Sequence, residues 1–169
     1  GINACTTANC ICSGTTVICN RRQLTSVPDG IEANATRLMH VPVICLCLFF
    51  CRMLSRNRLI AIDGSDFSGL TELERLELDN NEIVSITADA FQDLISLKII
   101  FLNDNQITSL PSGLFSANVI LQNVYVYDNN LTTVSADVFQ AITLITTMKV
   151  RDPEMEQSIS RKSRRKASL

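Results

Sequence analysis

Four asparagines, Asn57, Asn81, Asn105 and Asn129, recur every 24 residues, and four phenylalanines, Phe67, Phe91, Phe115 and Phe139, keep the same spacing. Two residue types locked to one period mark a chain built from stacked copies of a single unit. In such a solenoid each unit touches only its neighbours, and no unit can bury its own apolar edge. Function then lies on a long surface rather than in a pocket.

The unit is clearest from Leu73 to Leu94, with fixed positions Leu73, Leu76, Leu78, Asn81, Ile83, Ile86, Phe91 and Leu94. The next unit gives Leu97, Ile100, Leu102, Asn105, Ile107, Leu110, Phe115 and Asn118. A third gives Leu121, Val124, Val126, Asn129, Leu131, Val134, Phe139 and Ile142, and Ile145, Met148 and Val150 begin another. Upstream, Leu54, Asn57, Leu59, Ile62, Phe67 and Leu70 finish an earlier one. Apolar residues two apart, such as Leu76 and Leu78, have the period of a short half-buried strand. The Asn that follows turns its amide inward to bond backbone of adjacent coils, because a buried amide needs partners. The Phe fills the wide convex side. Asn118 stands where the other units are apolar, so that coil is expected to be weaker.

This pattern resembles the leucine-rich repeat in its extracellular form, over roughly residues 20 to 150. The resemblance implies an α/β repeat solenoid: a horseshoe with a parallel concave sheet and an irregular convex side. Cys5, Cys10, Cys12 and Cys19, followed by Leu24, Val27-Pro28, Ile31 and Thr36-Arg37-Leu38, are similar to the amino-terminal cap of that family. A solenoid end needs a lid, and a small lid has little core, so disulfides can constrain it. Spacing alone leaves three connectivities open, and four thiolates on zinc compete with them. The resemblance implies Cys5 with Cys12 and Cys10 with Cys19, and no metal.

The repeat register is interrupted once. After Leu38 the next familiar stretch begins at Leu54; if Met53 fills the missing strand position, residues 39 to 52 are extra. The organisation reads as a cap and first strand over 1–38, an apolar insert over 39–53, repeats over 54–152 and a basic, disordered tail over 153–169. The insert runs through His40 and the apolar stretch from Val41 to Cys51, which is too short to span a bilayer. It reads as foreign to the fold, with the Val, Ile, Leu, Phe and Cys content that a pyrimidine-rich intron end would encode. A membrane-touching loop and a metal site of His40, Cys45, Cys47 and Cys51 are the alternatives. Pro153 stands where another ladder Asn is expected, and no second cysteine cap follows. The chain starts at Gly1 without Met, as a processed product or a fragment would, and a membrane tether is expected only through a missing carboxy-terminal region.

Charge argues against nucleic acid. Residues 151–169 carry six basic and three acidic residues, net +3, whereas the whole chain carries −2, which leaves −5 for the repeats and cap. An enzyme needs convergent titratable groups in a cleft. His40 is the only histidine, no nucleophile or phosphate-loop motif occurs, and no cofactor is expected.

Side chains flanking the inward residues of each strand point to the concave sheet. There the register stacks Arg75, Glu77 and Asp79 of one coil against Phe101, Asn103 and Asp104 of the next and Tyr125, Tyr127 and Asp128 of the third. Adjacent strands lie about 4.8 Å apart, so Phe101, Tyr125 and Tyr127 form an aromatic cluster fringed by acids. Aromatics set among polar groups are what a protein-binding hot spot looks like. The acidic columns favour a basic partner, mainly through encounter rate. Asn34-Ala35-Thr36 and Asn130-Leu131-Thr132 are glycosylation sequons, at Asn34 and Asn130. The expected protein is therefore a non-catalytic, secreted or cell-surface module that binds a protein ligand on its concave face. A matrix component that binds fibrils or glycans is the alternative.

Overall fold

A computed structural model of the chain describes residues 11–13, 16–19, 23–27, 37–39, 57–142 and 147–149. One sheet of seven strands runs through it in the order β1-β2-β3-β5-β7-β8-β9. These strands are β1 (Ile11–Ser13), β2 (Thr16–Ile18), β3 (Arg37–Met39), β5 (Arg75–Glu77), β7 (Ile99–Phe101), β8 (Asn123–Tyr125) and β9 (Thr147–Lys149). Between them, β4 (Ala61–Ile62) and β6 (Ser85–Ile86) pair as a second, two-stranded parallel sheet. β1 and β2 are antiparallel, and every later pair in the large sheet is parallel. Parallel neighbours demand a crossover, and here one full turn of the coil supplies it. The register from β5 onward equals the repeat: Leu76 lies against Ile100, Ile100 against Val124, and Val124 against Met148.

Strands β5, β7 and β8 bury their central side chains, Leu76, Ile100 and Val124, completely. Leu78, Leu102 and Val126 follow two residues on and are also fully buried. These short strands hold because the coils are tied together again beyond them. Leu78 N donates to Phe101 O at 2.8 Å and Leu102 N to Tyr125 O at 2.7 Å. Across the coil, Phe67, Phe91, Phe115 and Phe139 stack in a column, with ring centroids 6.1, 5.7 and 5.7 Å apart. Turns make up most of the convex side. One 3-10 helix, Ala136–Phe139, is capped by Ser135, whose side chain accepts from Asp137 N.

The buried asparagines hold neighbouring coils together. Asn105 Oδ1 accepts from Ile83 N of the preceding coil at 3.1 Å, and its Nδ2 donates to Leu78 O there at 2.9 Å. Asn129 repeats both bonds one coil later, to Ile107 N at 2.9 Å and Leu102 O at 2.8 Å. Asn81 accepts from Leu59 N, and Asn57 accepts from Leu24 N while donating to Cys19 O of the cap region. Cys19 is itself fully buried and disulfide-bonded. The side chains of Cys5, Cys10 and Cys12 lie outside the described residues.

Asn118 departs from the expectation of a weak coil. It is fully buried, and its Nδ2 donates to Phe91 O at 3.0 Å and Leu94 O at 2.8 Å, so it joins coils in the manner of the ladder. Its Oδ1 has no hydrogen-bond partner, which is the cost of putting an amide in an apolar position.

β3 places Leu38 beside Leu76, and Asn57 takes the ladder position of the same coil. Nineteen positions separate Leu38 from Asn57, against five from Leu76 to Asn81, so fourteen positions are additional. β3 also includes Met39, one residue into the stretch assigned to the insert. Residues 40–56 lie outside the described residues, and so do Ile145, Val150 and the tail from 153.

Candidate ligand-binding face

On the concave side the register delivers an ordered stack. Phe101 and Tyr125, paired across β7 and β8, lie with ring planes 7° apart and centroids 4.5 Å apart. Arg75 of β5 covers the other face of Phe101, with its guanidinium carbon 4.5 Å from the ring centroid. This is a cation–π contact continued by an aromatic stack. Arg75, Phe101, Tyr125 and Tyr127 are all partly exposed. The strand spacing sets the stacking distance, so the platform is built by backbone pairing rather than by the side chains alone.

Other residues assigned to this face from the sequence are placed differently. Glu77 has no exposed surface, because its carboxylate turns back onto Arg75 Nε. It therefore holds the guanidinium on Phe101 and offers nothing to a ligand directly. Asp79 and Asn103 are only 9% and 5% exposed, and they form the floor of the face. Burial pushes the Asp79 carboxyl up to about 6; Asp104 adds to the rise, while the Asn80 amide and Arg75 oppose it.

The exposed acidic column has a backbone cause. Asn80, Asp104 and Asp128 have φ of 54°, 55° and 51°. This left-handed conformation is costly for most L-residues and is tolerated by Asn and Asp. Asp104 and Asp128 thus stand where the chain must bend out of the strand, and their charge follows from that choice of residue type. Asp128→Val is expected to lose about 1–2 kcal/mol in urea unfolding, whereas Asp128→Gly stays close to the parent. Equal losses for the two would mean that the carboxylate, not the φ angle, is what the position requires. Asn80 belongs to the same column of the sequence repeat as Asp104 and Asp128, each immediately before a ladder asparagine, and like them it is exposed.

Asn130 is exposed, as is Thr132 of its sequon, while the neighbouring Asn129 side chain points inward. Asn34 lies outside the described residues. Among the described residues no helix is long and apolar enough to cross a membrane, and no group of three or more His, Cys, Asp or Glu could hold a metal ion.

A parallel concave sheet, an Asn ladder and a Phe column define a leucine-rich repeat solenoid. The chain belongs to the leucine-rich repeat family: it matches that family over residues 53–107 and 95–152, more than half its length. Residues 4–32 match the leucine rich repeat N-terminal domain. Among curated proteins it is similar to the mouse leucine-rich repeat and immunoglobulin-like domain-containing nogo receptor-interacting protein 3. The two are 38% identical over 72 residues, 41% of this chain and 10% of the relative. Among solved structures it is similar to the chain in the crystal structure of the TLR13-ssRNA13 complex, with a TM-score of 0.69 and 21% identity. That match covers 94% of this chain and 21% of the other, and it shows the shared fold. This chain thus spans a small part of each of these longer proteins. Leucine-rich repeat domains generally bind partners, typically without catalysis, and relatives carrying this amino-terminal domain are commonly extracellular or at the cell surface.

Proposed function

We propose that the chain is a non-catalytic, extracellular protein-binding module that engages a protein ligand on its concave face. The Arg75–Phe101–Tyr125 stack is the observation that carries this reading. It presents partly exposed aromatic area in a geometry set before any ligand arrives, so little side-chain freedom is lost on binding. Tyr127 and the exposed Asp104 and Asp128 surround it, giving the polar rim that a desolvated aromatic contact needs. The name of the mouse relative, a nogo receptor-interacting protein, favours a protein ligand. The net charge of −5 outside residues 151–169 speaks against a polyanion such as RNA or heparin. The sequon at Asn130 and the resemblance of the four cap cysteines to paired ones, Cys5 with Cys12 and Cys10 with Cys19, support an oxidising, extracellular setting.

The test is a dimeric fusion of the chain probed against an array of purified receptor ectodomains and secreted proteins, beside collagen fibrils and heparin. A saturable protein hit is expected. Tyr125→Ala combined with Tyr127→Ala should weaken it by more than about 1 kcal/mol with the fold intact by circular dichroism. Unchanged affinity for that hit would move the site off this face. Binding to fibrils or heparin alone would replace the reading with a matrix role.

A further inference from the structure

Four polar side chains form a row across two coils of the concave face, Asp79 and Asn103 on its floor and Asn80 and Asp104 exposed beside them. Asn80 Nδ2 donates to Asp79 Oδ2 at 3.0 Å, and Asn103 Nδ2 donates to Asp104 Oδ2 at 2.6 Å. Backbone bonds fix their registry: Leu78 N donates to Phe101 O at 2.8 Å and Asn80 N to Asn103 O at 3.1 Å. Asp79 therefore stands beside Asn103 in the neighbouring coil, and both residues are more than nine-tenths buried. At the centre of the row the chemistry does not match. Asp79 Oδ1 and Asn103 Oδ1 are both buried acceptors, and neither has a hydrogen-bond partner. Turning the Asn103 amide over gives no relief, because its oxygen would then face the Asp104 carboxylate. Each oxygen lacks a donor, and the backbone registry sets the two residues side by side in adjacent coils, where one shared proton could serve both. Neither oxygen has appreciable accessible surface, so an ammonium or guanidinium group from outside does not reach them without rearrangement.

We propose that Asp79 is a proton-binding site, its carboxylic acid donating from Oδ1 to Asn103 Oδ1. The added proton completes an Asn80–Asp79–Asn103–Asp104 row that ties two coils together. The reaction is the transfer of one proton from solvent to Oδ1, with no other bond changed. Acid then tightens this joint between coils, and neutral pH loosens it. Asp79 therefore contributes more stability in an acidic compartment than at neutral pH, whatever partner the concave face takes.

The surroundings of Asp79 agree. Burial is the largest influence raising its pKa to about 6, from an ordinary 3.8. From the next coil Asp104 pushes the same way, whereas Asn80 and Arg75 of its own coil oppose. Glu77, two residues before it, is engaged by Arg75. Ser55 and Arg56, which precede Asp79 and Asn80 by one period in the sequence, lie outside the described residues. The sign follows from proton counting. Between about 3.8 and about 6 the folded chain holds more protons at Asp79 than the unfolded chain does. Stability from this group is therefore full below 3.8 and is lost as pH rises through about 6.

The test uses the whole chain, with its aspartate carboxyl carbons labelled with carbon-13. The resonance missing from Asp79→Asn should titrate with a midpoint near 6 in the unmutated protein. Urea unfolding at pH 7.4 and pH 5.0 provides the second reading. Relative to Asp79→Asn, the parent should gain about tenfold in its folding equilibrium constant on going to pH 5.0. Asp79→Asn supplies a permanent donor, so at pH 7.4 it should be at least as stable as the parent. A midpoint below about 4.5 in the unmutated protein would overturn the proposal, and so would pH profiles that run parallel for the two proteins. Neither reading involves a ligand, so this result stands apart from the binding screen.

Discussion

Phe91→Ala is expected to destabilise the chain by about 4 kcal/mol, measured as the shift in a urea unfolding curve. Phe91 is fully buried and is sandwiched between Phe67 at 6.1 Å and Phe115 at 5.7 Å. Removing its ring deletes apolar burial and leaves a cavity that backbone-paired coils cannot close. It also removes two ring contacts, each contributing about 0.5–1.5 kcal/mol. Phe139, in contrast, has one stacked neighbour among the described residues, Phe115. The same substitution there should cost visibly less, by roughly the value of one ring contact. Losses that are equal at the two positions would show that ring stacking adds nothing beyond burial. A domain of this size has a total stability of only about 5–15 kcal/mol, so Phe91→Ala approaches the limit of what the fold tolerates.

The second large effect is expected at Asn105. Its amide makes bonds to four backbone groups: Ile83 N, Leu78 O, Leu102 O and Asn103 O. Three of these keep another partner when Asn105 is removed. Leu78 O still accepts from Asn81, Leu102 O from Asn129, and Asn103 O from Asn80 N. Ile83 N is the group left stranded, and a buried unpaired N–H costs about 1–3 kcal/mol. Asn105→Leu, which is close in volume, should therefore lose about 3 kcal/mol although it adds apolar surface. Hydrogen exchange of the Ile83 amide should accelerate in parallel. An Asn105→Leu variant as stable as the parent would mean that the ladder fills space and that its hydrogen bonds are incidental.

Both of these positions were legible because a repeat states the same requirement several times. Asn105 is one of four asparagines in the same place, and Phe91 one of four phenylalanines, so their inward orientation follows from the period. Features that depend on a single neighbour were not legible. Glu77 occupies a solvent-facing column by register, and its burial comes from Arg75, a residue with no counterpart in the next coils, where Ile99 and Asn123 stand. Asn118 looked like a flaw because the carbonyls that receive its amide, those of Phe91 and Leu94, belong to another coil and carry no mark in the sequence. The acidic column was visible, but the left-handed backbone at Asn80, Asp104 and Asp128 that favours Asn and Asp there leaves no separate mark in the sequence.

The ladder bonds between coils all point the same way. Asn57 satisfies Leu24 N, Asn81 Leu59 N, Asn105 Ile83 N and Asn129 Ile107 N, so the amide always comes from the later coil. One amide of each coil is thus satisfied by its successor and not by the coil itself. During synthesis this imposes a lag: as the chain leaves the ribosome, each turn waits for the asparagine 22 residues or more downstream before its last amide is covered. Growth proceeds like a zip with one open tooth, and a stalled nascent chain always displays one incomplete turn at its leading end.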